Sequence, residues 1–408
     1  MIRILDYKDA GSLLTRKTQR LDEAERVVAP ILADVRQRGD AALLEYARKF
    51  DGFEGSSVRV RVAGSLSREF EEAVRVAAAN IREYARLQLP QERFVDYPDG
   101  RRLGQIIRPL NSMGAYTPAG RYPLPSTLLM NVVPAQVAGV KKTCVACPRP
   151  SAEIMGIAAW LGVTHFFQMG GAQAIAALAF GTETVPRVDR IVGPGNIYVA
   201  AAKKLVAGET GIDFVAGPTE IVIIAAEGNP RWIASDMLAQ AEHDLDASSI
   251  LLTTSRKLAE AVAQEVERQL ETLPTAPTAR PSIDQNGAIV VVDAMEQAVE
   301  FSNQLAPEHL ALHDERFLGS IQNAGSVFLG PASPEAAGDY ASGPNHVLPT
   351  SGAARLRGGL SSADFVKVIS IQELSPAALA NLTPSITMLA RAEGLEAHAR
   401  SVEARRDG

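Results

Sequence analysis

Cysteine is nearly absent: the 408 residues contain 2, Cys144 and Cys147. That excludes a disulfide-stapled scaffold. A structural zinc site needs more cysteine, or histidine close by, and a thioredoxin-like aromatic context is also missing around this pair. Three-residue spacing in a strand turns the two side chains to opposite faces, so both read as small buried hydrophobes. Long apolar runs are lacking too. No stretch of about 18 uninterrupted apolar residues occurs, which argues against a membrane-spanning helix. The opening MIRILDYKDAGSLL has no basic segment, apolar core or small-residue cleavage site of a secretory leader, so a cytoplasmic protein is expected. Lys+Arg 41 against Asp+Glu 47 leaves a net charge of −6 and no broad basic field for nucleic acid. Aromatics are sparse at 5%, which suits Ala-rich helices packed closely on a sheet.

What is present is globular in kind. Hydrophobic residues make up 46% and charged residues 22%, near the average for folded proteins. From Asp22 to Asp51 the apolar positions Val27, Val28, Ile31, Val35, Leu43, Leu44 and Ala47 fall at helical spacing, with a break at Gly39-Asp40. A second helical run covers Leu66 to Leu87. From Ile106 to Val222 short apolar strands alternate with glycine turns and Ala-rich helices, and strands resume at Ile221–Ala225, Ile250–Thr253, Ala288–Val292 and Ser326–Leu329. Such alternation predicts parallel sheets with covered faces, an α/β fold. After Asp364 the pattern is helical, over Pro376–Leu382 and Pro384–Ala399.

Three glycine turns adjoin strands: Gly114-Ala-Tyr116-Thr-Pro-Ala-Gly120, Gly170-Gly171-Ala-Gln173 and Gly193-Pro-Gly195-Asn196. Each is either an ordinary strand–helix turn or a cradle of backbone N–H groups for a phosphate. None is a complete G-x-G-x-x-G, but three in one region point toward a nucleotide or another anionic ligand. The histidines fall mostly in the second half, at His243, His309, His313, His346 and His398, with His165 alone before them. Gln240 and His243 lie one helical turn apart and share a face; Asp236 on the same helix reads as solvated. Glu308 and His309 are adjacent, so their side chains point apart and suit two separate proton-transfer tasks. Asp339 and His346 are joined by a glycine-containing loop. Taken singly, each His is more often a structural hydrogen-bonder than a ligand, and His165 and His313 keep that structural reading. Together, imidazoles and a carboxylate match the N/O preference of zinc.

In order and number these segments resemble the histidinol dehydrogenase family. The resemblance runs from Arg36-x-x-Gly39-Asp40-Ala-Ala-Leu to His398. It is carried by Pro123-Leu-Pro-Ser126-Thr-Leu-Leu-Met130, Gly170-Gly-Ala-Gln173, Gly193-Pro-Gly-Asn196, Ala216-Gly-Pro-Thr219-Glu220, Gln240-Ala-Glu-His243, Pro307-Glu-His-Leu310, Ala337 through Thr350, and Ala392-Glu-Gly-Leu-Glu-Ala-His398.

The resemblance implies two NAD-dependent oxidations of L-histidinol to L-histidine through the aldehyde. It implies Glu308 and His309 as the catalytic proton-transfer pair, and a zinc ion in each subunit held by Gln240, His243, Asp339 and His398. Thr219, His346 and Glu393 fall at substrate-contact positions beside those ligands, and Tyr116, Gln173 and Asn196 at NAD positions. The implied fold has two incomplete Rossmann-like parallel-sheet domains: residues 1–115 with 220–363, including the N-terminal helices, and an NAD-binding 116–219. A helical segment, 364–408, would cross to the partner in a domain-swapped homodimer. Three positions depart from the family pattern: Thr117-Pro118-Ala119-Gly120, where Val-Pro-Gly-Gly is commoner; Thr219, where serine is commoner; and Leu245, where proline is frequent. A zinc hydrolase would not need the three turns, and a non-catalytic binding protein would not need both Glu308 and His309.

Overall fold

The apolar runs become parallel strands because helices cover both faces, so nearly every position along a strand is buried. A computed structural model of the chain describes residues 2–14, 21–118 and 123–405. They fall into two units, Met1–Gln88 with Asn111–Phe365, and Leu89–Leu110 with Val366–Gly408.

The first unit contains two six-stranded sheets. One runs Arg3–Asp6, Ala288–Val291, Ser248–Thr253, Glu220–Ile224, His309–Leu312 and Ser326–Leu329, all parallel. Its middle strand, EIVII, is buried from Ile221 to Ile224. The other runs Arg59–Val60, His165–Phe167, Lys142–Ala146, Ser112–Tyr116, Arg190–Val192 and Gly211–Ile212, with the first strand antiparallel to its neighbour and the rest parallel. Low aromatic content has its expected counterpart here. The helix Gly171–Phe180 buries Ala172, Ala174, Ala176, Ala177 and Ala179, and those small side chains let it lie close to the sheet. Cys144 and Cys147 are free, fully buried thiols, and burial pushes both up to about 11. No described helix is long and apolar enough to cross a membrane.

The chain is distributed differently from the expected boundaries. Of residues 1–115, the strand Arg3–Asp6 joins the sheet built from 220–329. The helix Leu21–Arg38 instead packs on Gly171–Phe180 and Ile197–Val206, beside the other sheet. Its apolar stripe, Val28, Leu32 and Val35, completes a core shared with the alanines of Gly171–Phe180. Ser112–Tyr116 is a central strand of that second sheet rather than the end of the first domain.

The break at Gly39-Asp40 holds this helical arm in place. Gly39 takes φ +56°, a conformation glycine adopts without strain. Asp40 then opens the helix Asp40–Tyr46 and accepts hydrogen bonds from Thr182 Oγ1 at 2.5 Å, from the Thr184 N–H at 3.3 Å and from the Thr184 hydroxyl. Asp40→Ala leaves those donors without their acceptor. It should cost about 1–3 kcal/mol, read as a lower denaturation midpoint at unchanged slope.

The second unit is an antiparallel sheet with helices. Val366–Leu374 pairs with Arg101–Pro109, which pairs with Arg93–Asp96. Helices Pro376–Ala392 and Glu396–Glu403 follow. The segment 364–408, expected to be helical, therefore begins with a nine-residue strand. Every residue of Val366–Leu374 is at least partly exposed, so selection for a buried face left only a weak two-residue alternation to read.

Candidate active site

Two neighbouring strands open with the acid–base residues. In the parallel ladder Ile221 pairs with His309, which sets Glu220 beside both Glu308 and His309. One backbone residue then holds both side chains. The Glu220 N–H donates to Glu308 Oε2 at 3.0 Å, and the Glu220 carbonyl lies 3.1 Å from His309 Nδ1. Glu308 and His309 do not hydrogen-bond each other, with Oε2 and Nδ1 3.7 Å apart. The two side chains do not point apart as adjacency suggested, since both reach the Glu220 peptide and line one pocket, but they make no mutual hydrogen bond, and the strand pairing fixes each one separately.

With Nδ1–H directed at a carbonyl, His309 Nε2 keeps its lone pair. That atom is buried and has no protein partner. Burial pushes the imidazole down to about 4, so the ring is neutral at ordinary pH, though a weaker base than a free imidazole. Burial has the opposite effect on Glu308, raising its carboxyl well above the usual carboxylate range. The Thr219 hydroxyl donates to Glu308 Oε2 at 2.6 Å and partly offsets that rise.

The other residues converge from helix ends and loops. Gln240 closes the last turn of Pro230–Ala241, is fully buried, and places its amide 2.6 Å from Thr219 Oγ1. His243 follows that helix, and its Nδ1 lies 3.0 Å from the Ala239 carbonyl. Its Nε2 thereby faces Asp339 Oδ2 at 3.8 Å. Asp339 lies on the short helix Glu335–Tyr340, and its own carbonyl is 2.8 Å from His346 Nδ1. His346 Nε2 is 3.4 Å from Thr127 Oγ1, and burial lowers the His346 imidazole below its ordinary range. Thr219, His243, Glu308, His309, Asp339 and His346 line one small pocket of about 170 Å³. That volume admits a small polar molecule.

Tyr116, Gln173 and Asn196 meet elsewhere, in a cleft of about 470 Å³ at the carboxyl ends of the second sheet's strands. The small pocket lies at the amino ends of the first sheet's strands, where Glu220 and His309 begin theirs. The glycine turns do frame the cleft, but not as free phosphate cradles. The Gly170 N–H is taken by Asp51 Oδ2 at 2.9 Å, the Gly171 N–H by Tyr116 Oη at 3.1 Å, and the Gly193 N–H by Asp213 Oδ2 at 2.8 Å. Gln173 Nε2 donates to Asp51 Oδ2 at 3.1 Å, and Asn196 Oδ1 caps Ile197–Val206 by accepting from the Tyr198 and Val199 N–H groups. Ala119 and Gly120, the end of the first turn, lie outside the described residues.

Glu393 and His398 belong to the second unit. Glu393 caps the end of Pro376–Ala392, His398 lies on Glu396–Glu403, and both are exposed. Among the described residues no three His, Cys, Asp or Glu side chains converge as a metal site. His313 stands at the opposite end of the strand that His309 opens, and His165 bonds its neighbour Thr164 at 2.9 Å.

Two acidic groups were misjudged or missed from the sequence. Asp236 is half-buried rather than solvated, and burial pushes its carboxyl up to about 6. Glu335 is 1% exposed, faces the Gln240 amide at 2.8 and 3.1 Å, and lies 3.8 Å from His309 Nδ1. Its signal was present, since Glu335 precedes Asp339 by one helical turn and so shares its face.

A buried imidazole–carboxyl pair at the edge of a small pocket on a parallel sheet is an arrangement suited to an α/β enzyme. The family model for histidinol dehydrogenase matches residues 14–406. The histidinol dehydrogenase of Geobacillus kaustophilus is 49% identical over 97% of both chains, and that of Halalkalibacterium halodurans 48% identical over 99% of both. The crystal structure of histidinol dehydrogenase from Elizabethkingia anophelis superposes with a TM-score of 0.93 at 36% identity, covering 99% of this chain and 98% of that one. The chain belongs to the histidinol dehydrogenase family.

Proposed function

We propose that the protein oxidises L-histidinol to L-histidine in two NAD-dependent steps, the last steps of histidine biosynthesis, in the cytoplasm. The observation that carries this reading is the pair fixed by Glu220: a buried neutral imidazole with a free Nε2, and a separate buried carboxyl. Alcohol oxidation needs a base for the hydroxyl proton. His309 Nε2 is that base, and a positioned general base contributes about 10²–10⁴-fold. Oxidation of the aldehyde needs its hydrate. Glu308, whose raised carboxyl makes a stronger base when ionised, would draw the proton from the attacking water while protonated His309 returns the alcohol proton to the carbonyl oxygen, giving the hydrate; His309, neutral again, would then take a hydroxyl proton from the hydrate as its hydride leaves. Tyr116, Gln173 and Asn196 would hold NAD in their cleft, where it would supply the hydride acceptor for both steps. No thiol nucleophile enters this scheme, in keeping with the deep burial of Cys144 and Cys147.

The donor set also suits a zinc ion. His243 has Nδ1 committed to a backbone carbonyl and Nε2 directed at Asp339. Their 3.8 Å separation lets both reach one ion through bonds of about 2.0–2.2 Å. Gln240 would supply an amide oxygen, and His398 the last ligand. Bound there, zinc supplies a Lewis-acidic grip on the imidazole and amino nitrogens of the substrate. Thr219, His346 and Glu393 would complete its polar surroundings, with Thr219 keeping the hydroxyl that holds Glu308.

Glu393 and His398 are reached most simply if the C-terminal helices cross to a second copy, each protomer completing its partner's site. The exposed apolar Met388, Leu389 and Leu395 on these helices support such a homodimer.

Purified protein given NAD and L-histidinol should form NADH, followed at 340 nm, and a chelator should abolish the reaction. Zn²⁺ should restore it, and Co²⁺ or Mn²⁺ should do so in part. Full activity in protein shown by elemental analysis to be metal-free would refute the zinc assignment.

A further inference from the structure

Away from the acid–base residues, a buried ion pair sits beneath the turn that separates the cleft from the small pocket. Lys203, on the helix Ile197–Val206, is 2% exposed, and the Asp213 side chain with which it pairs is fully buried. Together they hold Gly193 at both of its polar groups. Lys203 Nζ donates to the Gly193 carbonyl at 3.0 Å, and Asp213 Oδ2 accepts from the Gly193 N–H at 2.8 Å. Gly193 itself is irreplaceable in this position. It takes φ +111°, and an added Cβ would run into the Tyr116 carbonyl.

The turn so held faces two ways. Pro194 and Gly195 line the small pocket, while Asn196 lines the cleft. Asp213 also governs the next pocket wall. Its Oδ1 accepts from the Phe214 N–H at 2.7 Å, its carbonyl accepts from Arg357 at 2.6 Å, and the Arg357 guanidinium lies 5.3 Å from the Phe214 ring. Phe214 lines the small pocket. A buried ion pair adds little net stability over apolar side chains of similar size. What it does supply is a single geometry, here for a turn touching both ligand sites.

We infer that Lys203 and Asp213 are positioning residues that set the alignment between the NAD cleft and the substrate pocket. They touch neither ligand and act through Gly193 and Phe214. The inference rests on the cleft being the NAD site.

The test is the double substitution Lys203→Met/Asp213→Leu, which removes both charges and both holds on Gly193. Circular dichroism and thermal melting establish that it folds. Calorimetric titration with NAD should then show weaker binding, by about tenfold. In kinetics, KM for NAD and for histidinol should rise together, and kcat should fall on the order of 10²-fold, the scale of a misplacement of about 1 Å. A merely structural role would lower the active fraction and leave both KM values where they were. Lys203→Met/Asp213→Asn keeps an acceptor for the Gly193 N–H and should recover part of the loss; if the first variant does not fold, this one decides by the same measures. A folded variant with wild-type NAD affinity, KM values and kcat overturns the inference. Gln173→Ala runs alongside: if it weakens NAD binding and the pair variant does not, the positioning role fails alone, and if neither does, the cleft is not the NAD site.

Discussion

His309→Asn should slow both oxidations by about 10²–10⁴-fold, whereas Glu308→Gln should slow aldehyde oxidation far more than alcohol oxidation. The two side chains share one anchor, yet they answer to different protons. His309 Nε2 is buried without a hydrogen-bond partner, and in the proposed scheme both half-reactions would release a hydroxyl proton to it. Glu308 is needed once water must attack. Because Glu220 holds each through a different backbone atom, the loss of one need not displace the other. Supplying histidinaldehyde directly isolates the second step, and single-turnover NADH formation from histidinol isolates the first. Equal, small losses in both steps for both variants would contradict the assignment.

Activity recovered from two dead proteins is the second large effect expected. His243→Ala and His398→Ala should each be nearly inactive, since each would remove one of the proposed zinc ligands. If the C-terminal helices cross, a mixed dimer carries one doubly damaged site and one intact site. At equal amounts about half the dimers are mixed and half of their sites whole, so activity should return to roughly a quarter of wild type, a consequence of two-fold symmetry. Subunit exchange is verified by mass spectrometry. No recovery despite exchange would mean that the segment completes the site of its own protomer.

Local rules made some parts of this molecule readable and left others dark. The EIVII strand announced itself because burial on both faces demands a continuous apolar run, and the Gly39-Asp40 break because a positive φ favours glycine. Glu308 and His309 could be singled out from their adjacency alone. Ser112–Tyr116 was not legible as a strand, because Gly114 read as the start of a turn, and its place at the centre of the second sheet was hidden as well, since strand order is a long-range property. The same holds for the helix Leu21–Arg38, whose apolar stripe suits either sheet equally well. Asp51 and Gln173 lie far apart in sequence, as do Arg357 and Asp213, and no spacing rule joins them. Lys203 and Asp213 carry no local signal, because a buried pair is recognisable only once both partners have been placed.

The cleft lies at the carboxyl ends of its strands and the small pocket at the amino ends of its own, so the two meet different sets of helix ends, with the head of Pro125–Val137 also reaching the small pocket. In parallel α/β units the helices run back against the strands. Strand carboxyl ends therefore collect helix N-termini, which carry partial positive charge, and strand amino ends collect helix C-termini, which carry partial negative charge, each effect being worth about 0.3–1 kcal/mol. The chain's own side chains already follow that field. At the cleft, the carboxylate of Asp51 sits on the Gly170 N–H, at the head of Gly171–Phe180. At the small pocket, the His243 ring meets the Ala239 carbonyl, at the tail of Pro230–Ala241. A cation or protonated amine bound beside His243 would meet the carbonyl-rich tail of that helix, whereas the helix head at the cleft already carries a carboxylate of the chain's own.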